Sequence, residues 1–185
     1  TNLAGAVTIT NNTNLQSLAG LDNLTSSELF TVADNPTLST LILNGFSAAN
    51  YITVYDNAQL QTISMPSLAK IYERLIINTS TSLQTISFGS GGLVSIKRII
   101  IKENPALTQI GGFTLANFTT ASALEGVLLE NNISLTSLDF LTNVTNYRKA
   151  ITIGNNPSLT NLDNFQNLRK SGRLTISNNS GLTSM

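Results

Sequence analysis

The sequence predicts an all-β fold: a parallel β-helix solenoid of about eight turns of 22–28 residues, forming one domain over residues 1–185. Three observations predict it. A unit of the form Φ-x-Φ-x-N-N-x-x-Φ-x-x-Φ, where Φ is apolar, recurs eight times. Each copy opens on strict apolar/polar alternation. Its second corner position is almost always Asn.

The first strand opens at Val7 and alternates through Thr8, Ile9 and Thr10. Its successors open at Phe30, Ile52, Leu75, Ile99, Val127, Ile151 and Leu174, in steps of 23, 22, 23, 24, 28, 24 and 23 residues. Alternation puts Ile151 and Ile153 on one face and Thr152 on the other, the pattern of a short half-buried strand. A corner follows, then a second apolar pair three apart, such as Leu15/Leu18 and Leu159/Leu162. The back half is looser. It adds Leu21/Leu24, Phe46, Leu68/Ile71, Leu93/Ile96, Phe113/Phe118, Val144 and Phe165/Leu168. So few apolar positions per copy cannot close a core alone, but stacked copies form a continuous one. Parallel coils about 4.8 Å apart would give a rod of roughly 35–40 Å.

The second corner position holds Asn12, Asn35, Asn57, Asn104, Asn132, Asn156 and Asn179, with Ser80 in the fourth copy. Asn tolerates left-handed backbone, so this row is expected to turn each corner. Its amides can also bond along the stack, a structural ladder. The fifth copy is longer by four to six residues within Phe113–Gly126. This excess is expected to bulge as a surface loop or one helical turn, with a functional insertion as the other reading. Asn2-Leu3 matches Asn23-Leu24 and Asn167-Leu168, and Met185 completes only the front half of a copy. Further repeats, caps or neighbouring chains are therefore expected at the ends. The sequence opens with neither an initiator Met nor a signal peptide, so a mature fragment or processed product is expected.

Composition excludes several functions. Charged residues are 11% of the chain, against about 25% on average. Lys+Arg 10 balance Asp+Glu 10, so the concentrated positive field that nucleic acid requires is missing. With no Cys and no His, there is no zinc finger, iron–sulfur site, thiol nucleophile or Ser–His triad, and no cofactor is expected. No apolar run is long enough for a membrane span in this segment.

The segments Leu174-Thr175-Ile176-Ser177-Asn178-Asn179 with Leu182, and Ile151-Thr152-Ile153-Gly154-Asn155-Asn156 with Leu159, Leu162, Phe165 and Leu168, resemble receptor L-domain repeats. The resemblance covers essentially the whole chain. That family is leucine-rich-repeat-like and coils as a right-handed β-helix. It includes the ligand-binding L domains of insulin- and growth-factor-type receptors, GPI-anchored cell-wall proteins of fungi, and surface proteins of bacteria and protists. The usual leucine-rich repeat matches less well, because Ser171 stands where its frame needs an apolar residue. The resemblance implies an extracellular, non-catalytic module of a cell surface or cell wall.

Several residues are candidates for function. Sequons at Asn11, Asn23, Asn78, Asn117, Asn143 and Asn178 are candidate N-glycosylation sites; a seventh, at Asn132, lies in the ladder and is expected to stay unmodified. Seven is close to the number that composition alone would produce. All ten cations lie between Lys70 and Arg173. Arg74, Lys97/Arg98, Arg148/Lys149 and Lys170/Arg173 precede the first strand of their copies and should form a broken basic ridge, interrupted by Glu125 and Gly126. Such a ridge suits an anionic glycan or an acidic partner, or is simply a solvated edge. Asp34 and Asp56 share a corner position, with Glu103 two turns on, but nothing completes a catalytic or metal cluster. The outward row reads Thr8, Thr31, Thr53, Ile76, Ile100, Leu128, Thr152 and Thr175, and its Ile76–Ile100–Leu128 stripe suggests a lateral contact. The expected function is adhesion, ligand binding or wall organisation, with other surface proteins, glycans or a second copy as partner. The alternatives are a subunit that self-assembles into a filament or coat and, at lower weight, a polysaccharide-active enzyme.

Overall fold

A computed structural model describes residues 5–89, 93, 95–111, 124–142, 144–147, 149–170 and 172–184. The strands in chain order are β1 (Ala6–Thr10), β2 (Ser26–Ala33), β3 (Thr40–Ile42), β4 (Ala48–Tyr55), β5 (Thr62–Met65), β6 (Lys70–Asn78), β7 (Thr85–Phe88), β8 (Arg98–Lys102), β9 (Gln109–Gly111), β10 (Gly126–Glu130), β11 (Ala150–Gly154) and β12 (Arg173–Ser177). They stack as a β-solenoid of about seven turns. One parallel sheet runs β1-β2-β4-β6-β8-β10-β11-β12, and a second runs β3-β5-β7-β9. The added segment Phe113–Gly126 lies mostly outside the described residues; only its end, from Leu124, is seen.

The alternation decides which side chains face inward. In the main sheet Phe30/Val32, Ile52/Val54, Leu75/Ile77, Ile99/Ile101, Val127/Leu129 and Ile151/Ile153 are all buried. The second apolar pairs close the core from the other side: Leu38/Leu41, Leu60/Ile63, Leu83/Ile86, Leu107/Ile110, Leu135/Leu138 and Leu159/Leu162 are buried too. Each fully buried aliphatic or aromatic side chain contributes about 1.5–3 kcal/mol through removal from water.

The back wall differs from coil to coil, and apolar spacing explains the difference. Where the residues after the second pair continue with period two (Leu41/Leu43, Ile63/Met65, Ile86/Phe88), the chain forms β3, β5 and β7. Where they recur every three residues (Leu18/Leu21/Leu24, Leu138/Leu141/Val144, Leu162/Phe165/Leu168), the chain forms 3-10 turns at Ala19–Leu21, Asp139–Leu141 and Asp163–Phe165. A period of three matches three residues per turn. The bonds run at that spacing: the Leu141 amide donates to the Leu138 carbonyl at 2.8 Å, and the Val144 amide to the Leu141 carbonyl at 3.0 Å.

At the corners one expectation is corrected. The left-handed residue is not the ladder Asn but the residue before it: Asn11, Asp34, Asp56, Thr79, Glu103, Asn131, Asn155 and Asn178, all with φ between 51 and 61°. This frees the ladder side chain to point inward. The Asn132 Oδ1 accepts from the backbone amide of Asn104 at 3.2 Å and from its Nδ2 at 3.3 Å. The Asn132 Nδ2 donates to the Ile101 carbonyl at 2.9 Å, and the Asn132 amide donates to the Asn156 Oδ1 at 3.1 Å. The same amide-to-Oδ1 bond joins Asn12 to Asn35, Asn35 to Asn57, and Asn156 to Asn179. These asparagines are buried, apart from the exposed Asn12.

The fourth copy breaks the pattern. The Ser80 amide still donates to Asn104 Oδ1 at 3.1 Å, but the Ser80 hydroxyl turns to the Asn78 carbonyl at 3.4 Å. The Asp56 amide then bonds the Thr79 hydroxyl, where other corner amides reach a strand-end carbonyl. The Asn78 Oδ1 is buried with no hydrogen-bond partner, and β-branched Thr79 sits at φ 51°, an unfavourable region for it.

Two changes therefore have opposite expected effects in urea denaturation. Asn132→Ala strands the buried Asn104 amide and should cost about 3–5 kcal/mol. Ser80→Asn restores the missing rung and should gain about 1 kcal/mol. If Ser80→Asn destabilised the fold and Asn132→Ala cost under about 1 kcal/mol, the ladder would be incidental.

Candidate ligand-binding face

The outer face of the main sheet collects the candidates because each repeat position becomes a row across the strands. Strand register places Thr8, Thr31, Thr53, Ile76, Ile100, Leu128, Thr152 and Thr175 side by side. Ile76, Ile100 and Leu128 do lie in one outward stripe, but each is half-buried rather than fully exposed. The next row reads Ala6, Leu29, Tyr51, Arg74, Arg98, Gly126, Ala150 and Arg173. Leu29 and Tyr51 are exposed at 41% and 37%. They were missed from sequence, although each stands, like Arg74, one residue before the first inward position.

The basic ridge is resolved into two different rows. Arg74, Arg98 and Arg173 belong to the row just described. Beside it, Glu73, Lys97, Glu125 and Lys149 follow one another through backbone bonds between coils: Lys97 amide to Glu73 carbonyl, Glu125 to Lys97, and Lys149 to Glu125. Their charges alternate. Lys97 pairs with Glu73, and Lys149 Nζ lies 2.7 Å from Glu125 Oε2. This row is therefore neutral, while Arg74, Arg98 and Arg173 beside it take part in no ion pair found among the described residues. Arg148 lies outside the described residues.

Between Arg98 and Arg173 the arginine row has a gap at Gly126 and Ala150. There the face sinks into a depression of about 170 Å³, floored by Gly126, Val127, Leu128 and Ala150 and bordered by Arg98, Glu125, Lys149 and Thr152. Gly126 is required at this point: a Cβ there would sit 2.8 Å from the Ala150 carbonyl oxygen, a backbone atom that cannot swing away. The depression thus joins Arg98 and Lys149 of the expected ridge with Leu128 of the expected stripe. It leaves Arg74, Ile76 and Ile100 on the flat surface to one side and Arg173 on the other.

The remaining candidates lie elsewhere. Asn11, Asn23 and Asn178 are exposed, while Asn78 is half-buried at the end of β6; Asn117 and Asn143 fall outside the described residues. Asn132 is fully buried in the ladder. Asp34 and Asp56 are exposed corner residues whose left-handed backbone accounts for their type. Among the described residues, no group of three or more acidic, His or Cys side chains comes together. Among the described residues no helix is long and apolar enough to cross a membrane. No family model, curated protein or solved structure matches this chain.

The ion-pair row makes a pH prediction. The hydrogen bond to Glu73 raises the Lys97 pKa; desolvation opposes this, and the charges of Glu73 and Glu125 add to it. Because the folded value is the higher one, the pair's contribution is complete below the ordinary lysine pKa of about 10.4 and is lost as pH rises through the folded value. Lys97→Gln should therefore melt below wild type at neutral pH and converge on it in strong alkali. A gap that stayed constant into strong alkali would show that the charge of Lys97 is irrelevant.

Proposed function

We propose that the protein is a non-catalytic, extracellular binding module of a cell surface or cell wall, acting in adhesion, ligand binding or wall organisation. The observation that carries this reading is the outer row Tyr51–Arg74–Arg98 beside the half-buried stripe Ile76–Ile100–Leu128. An exposed aromatic, two cations and an apolar strip stand at one strand spacing on a surface held flat by a continuous sheet. Rows whose backbone spacing is fixed in advance suit an extended ligand, a glycan or a surface protein. The resemblance of the repeats to receptor L-domain repeats supports the same placement. The exposed sequons Asn11, Asn23 and Asn178 are compatible with a secreted glycoprotein. Asp34 and Asp56 are accounted for as corner residues, which leaves them no need of an enzymatic role.

Retention on immobilised cell-wall glycans and on whole cells tests the proposal. Wild type should be retained, less so at high salt. A Tyr51→Ala/Arg74→Gln variant of unchanged melting temperature should bind about tenfold or more weakly. Equal retention of the two proteins, or retention of neither on any surface, would sink the reading.

A further inference from the structure

Resting on that reading of the outer face, we infer that the depression at Gly126 and Ala150 binds one carboxylated sugar ring of a glycan lying across the strands.

Size selects the kind of ligand. The volume of about 170 Å³ equals roughly five or six waters at about 30 Å³ each. It falls below the roughly 300–1,000 Å³ of sites that enclose a whole drug-sized molecule. The depression therefore takes one ring of a longer ligand whose remainder lies on the flat face.

The lining selects the chemistry. Leu128 and Ala150 offer an apolar floor for the C–H face of a pyranose. Its hydroxyl edge needs donors and acceptors together, and the border supplies both. The Lys149–Glu125 pair presents an ammonium and a carboxylate 2.7 Å apart, and Thr152 adds a hydroxyl. Arg98 is the border cation outside any ion pair found among the described residues. A guanidinium takes a carboxylate through two parallel hydrogen bonds, which a neutral sugar cannot use. Bare phosphate or sulfate would leave the apolar floor idle.

The neighbours extend the site. Arg74 lies one strand beyond Arg98 on one side. Arg173 lies two strands beyond Gly126 on the other, across Ala150. The ligand runs perpendicular to the strands, so a polymer with repeated carboxylates meets guanidinium groups on both sides of the depression.

The test is an NMR titration of the whole chain with hexagalacturonate, with maltohexaose as the neutral control. Hexagalacturonate should shift the Gly126, Ala150 and Thr152 amides, and maltohexaose should not. Arg98→Gln should weaken binding about 10–100-fold, the worth of a hydrogen-bonded charge. Ala150→Leu, which fills the depression from an outward position, should abolish the shifts with the spectrum elsewhere unchanged. Lys70→Gln removes the same charge at the start of β6, away from the depression, and should change affinity less than about twofold. Equal losses in Arg98→Gln and Lys70→Gln would mean diffuse charge attraction and would overturn the inference. Equal binding of maltohexaose would overturn it as well. Retention on cell-wall glycans without a hexagalacturonate response at Gly126 would overturn this inference and leave the proposed function standing. Retention on no surface would overturn both.

Discussion

The coils are spaced by the backbone bonds of two parallel sheets, and buried side-chain amides lock that spacing at the corners. In every coil after the first, except the fourth, an Asn accepts, through one oxygen, the backbone amide and, in most rungs, the side-chain amide of the coil before it. Its own Nδ2 donates back to that coil's inward strand carbonyl, as in Asn104 to Ile77 and Asn156 to Leu129. A buried amide left without partners costs about 1–3 kcal/mol for each polar group, so every rung favours one spacing and one register. Hydrophobic burial drives the coils together but is indifferent to a small slip between them. The sheet bonds and the ladder together supply the direction that burial lacks. A second set of bonds, from Ser and Thr hydroxyls to the preceding coil's carbonyls, reinforces it: Thr37 to Leu15, Ser67 to Asn44 and Ser158 to Ile133.

Fixed register is what turns a repeated sequence into a surface. Because the strands align residue for residue, apart from one shift between β4 and the start of β6, a residue type at one repeat position becomes a row on the outer face. Charge alternation in Glu73–Lys97–Glu125–Lys149 and the arginine row beside it both depend on that alignment. So does the depression, which exists because two small residues, Gly126 and Ala150, fall next to each other where neighbouring coils carry arginine. Function on such a scaffold requires no specialised loop; it needs only a changed residue at a fixed position.

Much of this was legible in the sequence, for definite reasons. Alternation at Phe30/Val32 or Ile151/Ile153 has one structural solution when a second apolar pair follows at fixed spacing. The division of the back wall was also written there, since Leu41/Leu43 and Leu138/Leu141 differ in period, yet only the looseness of that region was read. The corner was misassigned because Asn11-Asn12, Asn131-Asn132, Asn155-Asn156 and Asn178-Asn179 present two candidates each. Asp34-Asn35 and Glu103-Asn104 separate the roles: the first residue varies and takes the left-handed backbone, while the second holds the ladder. The ion-pair row was legible but unread. Glu73, Lys97, Glu125 and Lys149 each stand two residues before the first inward position of their coil, yet the cations there were grouped with the arginines one residue on and Glu125 was taken only as an interruption.

Native-state hydrogen exchange at the ladder amides tests the central claim most directly. The amides of Asn35, Asn104, Asn132 and Asn156 donate to an Asn oxygen and should exchange only through global unfolding, with equal free energies. The Asn57 amide faces Ser80, whose hydroxyl is turned to Asn78, and should exchange faster through local opening at that coil. Uniform slow exchange that included Asn57, or fast exchange along the whole row, would contradict the claim that the amide ladder holds the coils in register.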